Sequence, residues 1–236
     1  MAHRNGRYGA SFPVILEPIS LYCARTGPGA LVEPLNLLAG LAFLPVGLQV
    51  ACWARDMPQL RLMAGLVVLL CPGALWLHSY PSPLALGANL LTILVLLLNY
   101  FYLLNRDIVG LSPVLAAIGT LLILPFAAAT LPLAGMVRGL AGSGAYLSVL
   151  VLLLGYATAL RQDNQSAARG LFLAAAMMLA AIAARSVDHM LCGIWPPGTH
   201  FLWILGSAAL LWQLARLYRD HALTTRGGLE GTRRGR

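Results

Sequence analysis

Residues 60–104 read LRLMAGLVVLLCPGALWLHSYPSPLALGANLLTILVLLLNYFYLL. Two uninterrupted apolar runs, 60–78 and 83–104, flank the short connector SYPS. Each run is long enough to cross roughly 30 Å of hydrocarbon as a single α-helix. Outward from this pair, further runs lie near 33–53, 111–132, 143–160, 168–187 and 199–218, which makes seven. The expected fold class is therefore all-α: a polytopic membrane protein built as a seven-transmembrane-helix bundle. A β-barrel is excluded, because its strands alternate apolar and polar residues whereas these runs are continuous. With 59% hydrophobic and 10% charged residues, the composition also belongs to a membrane-embedded chain rather than a soluble domain.

Short connections leave room for one domain only, expected over 31–220. Residues 1–30 read as an irregular extramembrane segment rich in Gly and Pro, without the apolar core of a cleaved signal peptide, so the first span is expected to start insertion itself. Residues 221–236 read as a disordered basic tail. In the fourth run Pro125 and Pro132 interrupt the helix pattern, although Pro125 can kink a spanning helix without ending it.

All sixteen basic residues are arginine. Seven spans place the termini on opposite sides. Eleven arginines (55, 61, 106, 161, 169, 216, 219, 226, 233, 234 and 236) then fall on the C-terminal side, against four (4, 7, 25 and 138) on the other. The positive-inside rule puts the C-terminus in the cytoplasm and the N-terminus outside. The +8 net charge is this topology signal plus a tail suited to anionic lipid headgroups. It is spread over loops without interleaved aromatics, so no nucleic-acid partner is expected. Oligomeric state is not legible.

With this topology several polar residues share one depth on the outer side. His78 ends span two, and Asn89 lies about two turns into span three. Arg185 and Asp188 end span six, His200 opens span seven, and Glu33 and Asn36 open span one. Ionisable groups near a bilayer are costly, so their convergence suggests a pocket. Plainer readings stand beside it. Arg185 and Asp188, three apart, can pair with each other. Glu33 and Asn36 can cap span one, where a carboxylate suits the positive helix end. Trp76, Trp195 and Trp203 fit an interfacial aromatic belt. His189 is the one spare imidazole at this depth, while His3 and His221 are terminal. Cys52 and Cys71 read as small core residues. Cys23 and Cys192 both fall on the outer face, where a disulfide is permitted but spacing alone does not decide it.

The stretches LYCARTGPGALVEPLNLLAGLAF (21–43), CPGALWLH (71–78), RSVDHMLC (185–192) and GTHFLW (198–203) resemble the alkaline ceramidase family, within a superfamily of seven-span membrane hydrolases that includes the adiponectin receptors. The resemblance implies a zinc-dependent hydrolase acting on the carbon–nitrogen bond of linear lipid amides, with a sphingolipid-like membrane lipid as partner. In that family one histidine ending span two and an H-x-x-x-H pair in span seven hold zinc, since residues four apart share a helical face. A serine and an aspartate complete the site. Position by position, His78 and His200 match the first two ligands. The third ligand position is Ile204, the serine position Ala74 and the aspartate position Asn89. The resemblance thus implies weakened zinc binding and a degenerate catalytic site. Calcium is not expected, because Leu21 and Ala24 replace acidic ligands of the family's calcium site and leave Glu33 as its remnant. Cys23 and Cys192 match a disulfide pair of the family. The other readings are a non-catalytic lipid-binding or structural relative and, further off, a small-solute transporter. A retinal protein is excluded, because the chain has no lysine for the Schiff base.

Overall fold

The computed structural model describes residues 23–24, 31–136 and 143–234, and within them every regular element is helical. The helices are α1 (Pro34–Gly40), α2 (Phe43–Trp53), α3 (Arg61–Ser79), α4 (Pro83–Leu103), α5 (Pro113–Leu121), α6 (Ile123–Gly135), α7 (Gly144–Ala159), α8 (Gln165–Ser186), α9 (Asp188–Leu191) and α10 (His200–Arg234). A 3₁₀ turn, Pro58–Leu60, leads into α3, and a π-helical turn, Leu104–Ile108, continues α4.

Local chemistry sets these boundaries. Ser82 and Ser112 each precede a proline at the first helical position, and their hydroxyls accept from Ala85 N (3.2 Å) and Leu115 N (3.4 Å). Asn164 caps α8 in the same way, accepting from Ala167 N at 3.0 Å. Such caps satisfy amides that the first turn leaves orphaned, and proline there forfeits a donor the helix does not use. Two apolar runs are each divided in two. The break between α1 and α2 falls at Leu41–Ala42, and that between α5 and α6 at Leu122. Each lies three or four residues before a proline, Pro45 and Pro125, where the ring displaces the preceding turn's carbonyl. Pro132, expected to interrupt the fourth run, instead sits inside α6.

Among the described residues six segments are long and apolar enough to cross a membrane: Pro34–Trp53, Pro58–Ser79, Pro83–Ile108, Pro113–Pro132, Gln165–Ser186 and His200–Thr225. The run expected to make another span forms α7, which has 16 residues and is shorter than the rest. Outward faces carry exposed leucines, among them Leu62 (54%), Leu91 (60%) and Leu179 (55%), as a hydrocarbon surround requires. Neighbouring segments pack in chain order. The α1/α2 segment meets α3, α3 meets α4, α4 meets α5, α6 meets α7 and α7 meets α8. α10 then returns against α8, α1 and α2, closing a ring.

Small residues bring these helices close, since a lipid surround offers little hydrophobic drive and packing must hold them. Ala167, Ala174, Ala175 and Ala181 are buried on α8, and Ala181 lies close enough to α10 that a Cβ on Gly206 would come within 3.1 Å of it. A Cβ on Gly47 would lie 2.8 Å from the Val68 backbone nitrogen across the α2–α3 contact.

Two expectations are corrected. α10 runs on to Arg234, so most of the tail expected to be disordered is helical. Extending a nucleated helix adds a hydrogen bond per residue without a further nucleation cost. Cys52, expected in the core, is exposed on α2, whereas Cys71 is buried as expected.

The close α2–α3 contact makes Gly47→Ala and Gly155→Ala opposite in sign. At Gly155 an added Cβ meets nothing within 4 Å. Thermal unfolding in detergent should show Gly155→Ala neutral or stabilised by up to about 1 kcal/mol. Gly47→Ala should lose about 1–3 kcal/mol through overpacking. Equal effects would overturn this account of the contact.

Candidate functional site

His78 ends α3 and His200 opens α10. Their ring centroids lie 5.4 Å apart with planes tilted by 52°. Both are buried, as are Glu33 and Asn36 at the opening of α1. Glu33 Oε2 accepts from Asn36 Nδ2 at 2.8 Å and lies 2.7 Å from His78 Nδ1. An ionised carboxylate only accepts, so the proton belongs on His78 Nδ1 and the neutral ring's lone pair on Nε2. Glu33 occupies the N-cap position of α1, yet its side chain makes no capping hydrogen bond. The capping reading is corrected: the carboxylate is turned onto the buried His78 imidazole and the Asn36 amide instead of the first helical amides. This contact was not legible, because the two residues are 45 apart in sequence.

Asp188 organises the opposite wall. Its Oδ1 accepts from Thr199 N (2.7 Å) and His200 N (3.0 Å), and its Oδ2 accepts from Cys23 N (3.0 Å). One carboxylate thus satisfies the first amides of α10 from outside that helix, and its charge suits the positive end. Gly198 makes the approach feasible: its φ is +66°, and a Cβ there would collide with Asp188 Oδ1 and the Cys23 side chain. The Cys23–Cys192 disulfide joins this cluster, with a Cα–Cα distance of 5.5 Å across 169 residues of sequence.

The expected Arg185–Asp188 pair does not form, because Asp188 is committed to backbone amides. The Arg185 guanidinium lies 5.4 Å above the Trp203 ring and 5.6 Å from that of Tyr146. Trp203 is also corrected. It is 8% exposed and faces inward one turn along α10, while Trp76 (41%) and Trp195 (52%) are exposed as a belt residue would be.

One cavity of about 880 Å³, mouth included, is lined by His78, His200, Ala74, Asn89, Ile204 and Arg185. Its deeper wall is hydrocarbon, with Leu70, Ile93, Leu97, Val149, Met178 and Leu211. Ala74 and His78 share one face of α3, and His200 and Ile204 share one face of α10, each pair four residues apart. Asn89 Oδ1 is buried with no hydrogen-bond partner. His189 lies exposed on α9 and does not line the cavity, so it does not supply the third nitrogen.

Among the described residues no group of three or more His, Cys, Asp or Glu side chains is placed to hold a metal ion. The donor set does not fit a three-ligand zinc centre: two imidazoles converge, but Ile204 presents hydrocarbon. Of the positions matched to the calcium site, Ala24 is buried and Leu21 lies outside the described residues.

A second polar cluster, which the sequence did not disclose, gathers at the other end of the bundle. Tyr218 donates to Asp107 Oδ2 at 2.5 Å, and Arg106 grips both Asp107 oxygens at 2.6 and 2.8 Å. His221, expected to be merely terminal, donates from Nε2 to the Asp107 carbonyl at 3.2 Å and faces the Asn164 amide through Nδ1. Tyr156 donates to the buried Asn105 at 2.6 Å. The one sequence signal was the polar triplet Asn105-Arg106-Asp107 closing a long apolar run.

No protein-family model, curated protein or solved structure matches this chain.

Asp188 and the disulfide both tie Cys23 to α9 and the turn that follows it, so their losses should not add. Asp188→Ala should cost about 2 kcal/mol or more, since it strands buried amides. Reduction should cost about 2–5 kcal/mol. Denaturant unfolding of the reduced Asp188→Ala protein should show less than the sum. Strict additivity would separate the two.

Proposed function

We propose that this chain is a ceramidase-like integral membrane protein, a relative of the zinc-dependent lipid amide hydrolases whose hydrolytic centre is degenerate. The observation that carries the reading is that His78, His200, Ala74, Asn89 and Ile204, separated widely in sequence, line one cavity with hydrocarbon walls. A sphingolipid-like membrane lipid suits such a cavity, its chains on the leucines and its polar head by the two imidazoles.

Hydrolysis is the weaker part of the kinship. Asn89 is neutral and accepts no proton as a carboxylate would. Ala74 has no hydroxyl, and Ile204 offers no ligand. Glu33, the buried carboxylate closest to the histidines, is hydrogen-bonded to His78 and Asn36. These four facts favour retained lipid binding over amide turnover.

The proposal includes seven crossings, with the N-terminus outside and the C-terminus cytoplasmic. Closure of the ring supports it, because α7 occupies a full place between α6 and α8 although it is short. Local bilayer thinning accommodates a short span at modest cost. The eleven-to-four arginine bias supports the orientation.

Two experiments test these parts separately. A reporter active only in the cytoplasm should work when fused at residue 236 and fail when inserted within 132–143. The reverse pattern would invert the topology.

For the site, the wild-type protein should carry substoichiometric zinc and hydrolyse a fluorescent ceramide at no more than background. The triple variant Ala74→Ser, Asn89→Asp, Ile204→His should raise zinc content and restore measurable hydrolysis, with Ile204→His responsible for most of the metal gain. Stoichiometric zinc with fast turnover in the wild type would overturn the degenerate reading. A folded triple variant that gains no zinc would overturn the kinship.

A further inference from the structure

At the other end of α3 from His78 lies a crevice with a different chemistry. By helix rise the two sites are roughly 25 Å apart. The crevice opens between α2 and α3 with a volume of about 690 Å³, its mouth included. Its rim carries Arg55 and Arg61, and its floor is Ala51, Ala54, Ala64, Gly65 and Val68. We propose that it binds an anionic glycerophospholipid, with the phosphate between the two guanidiniums and one acyl chain along the small-residue floor.

The charge argument comes first. Arg55 closes the turn after α2, and Arg61 opens α3, so the chain itself brings two cations to one rim. Both are exposed, and neither guanidinium makes an ion pair or hydrogen bond among the described residues. The turn's carboxylate, Asp56, does not line the crevice. Guanidinium pairs match phosphate through forked hydrogen bonds that a single ammonium cannot reproduce. Basic pockets between membrane helices are a recurrent site for anionic headgroups.

The floor decides between a lipid and a soluble anion. Ala51, Ala64 and Gly65 leave a trough where larger side chains would fill it, and a Cβ on Gly65 would meet nothing within 4 Å. Exposed Leu62 and Leu69 flank α3 on its outward surface, as a lipid-facing wall would. Water or free phosphate gains nothing from such a floor, whereas an acyl chain buries apolar area there.

The test is native mass spectrometry of the full-length protein released from detergent. The protein is first equilibrated with phosphatidylglycerol and phosphatidylcholine of identical chains. Wild type should retain one phosphatidylglycerol with a preference over phosphatidylcholine of about thirtyfold, the contribution expected of two interfacial arginines. Arg55→Gln/Arg61→Gln should bring retention to the phosphatidylcholine level. Gly65→Leu, which keeps both charges and fills the trough, should also lose the bound lipid. Arg161→Gln/Arg169→Gln removes two other arginines and should retain it. The proposal is overturned by equal retention of the two lipids, by retention in either crevice variant, or by equal loss in the Arg161/Arg169 control. The last result would mean diffuse surface charge. Inorganic phosphate that competes the lipid off at millimolar concentration would reassign the site to a soluble anion.

Discussion

The carboxylate of Asp188 is the constraint on which the candidate site depends. A helix start leaves amides without partners, and burial forbids water from supplying them. Here α10 begins inside the protein with His200 as its first residue, so those amides need a buried acceptor. Asp188 supplies it from another helix and adds the Cys23 amide. That single group fixes where His200 stands, where Cys23 sits, and why residue 198 must be glycine. Position His200 by this anchor and His78 by Glu33, and the facing of the two imidazoles follows.

The two halves of the pocket are thus held by different means. His78 rides on a continuous apolar helix and is oriented by one hydrogen bond to a buried carboxylate. His200 is held through its backbone amide, which donates to Asp188. The helices themselves are brought together by alanine and glycine surfaces, chiefly on α8 against α10 and at Gly47 on α2. Polar interactions therefore choose the geometry, while close packing provides the cohesion.

Much of this architecture was legible because a bilayer simplifies the code. Continuous apolar runs became helices, all but the last within a few residues of the expected limits, and of the polar residues expected at one depth His78, Asn89, Arg185 and His200 line one cavity whereas Glu33, Asn36 and Asp188 do not. What was not legible has physical reasons. The break at Leu41–Ala42 comes from Pro45, four residues on, within a run whose composition never changes. The cavity-facing place of Trp203 depends on helix rotation, to which an aromatic-belt reading is blind. The Asp107–Tyr218 contact joins residues 111 apart and appears only when α4 and α10 meet. His221 was set aside as terminal because α10 was expected to end before it.

On the proposed kinship, the departures from the family pattern sort by which way they face. Ala74, Asn89 and Ile204 point into the cavity, where replacing a polar or charged group by a smaller or neutral one removes a desolvation cost and strands no partner. Glu33, Asn36 and Asp188 stand behind the wall, each hydrogen-bonded to another buried group. Removing any one of those would leave a buried donor or charge uncompensated, a loss large against the few kcal/mol that separate folded from unfolded chains. On that kinship the pocket keeps its shape despite the changes at 74, 89 and 204, because the hydrogen bonds behind its wall are made by other side chains. The geometry of the two histidines then records how the bundle is built more directly than what it does.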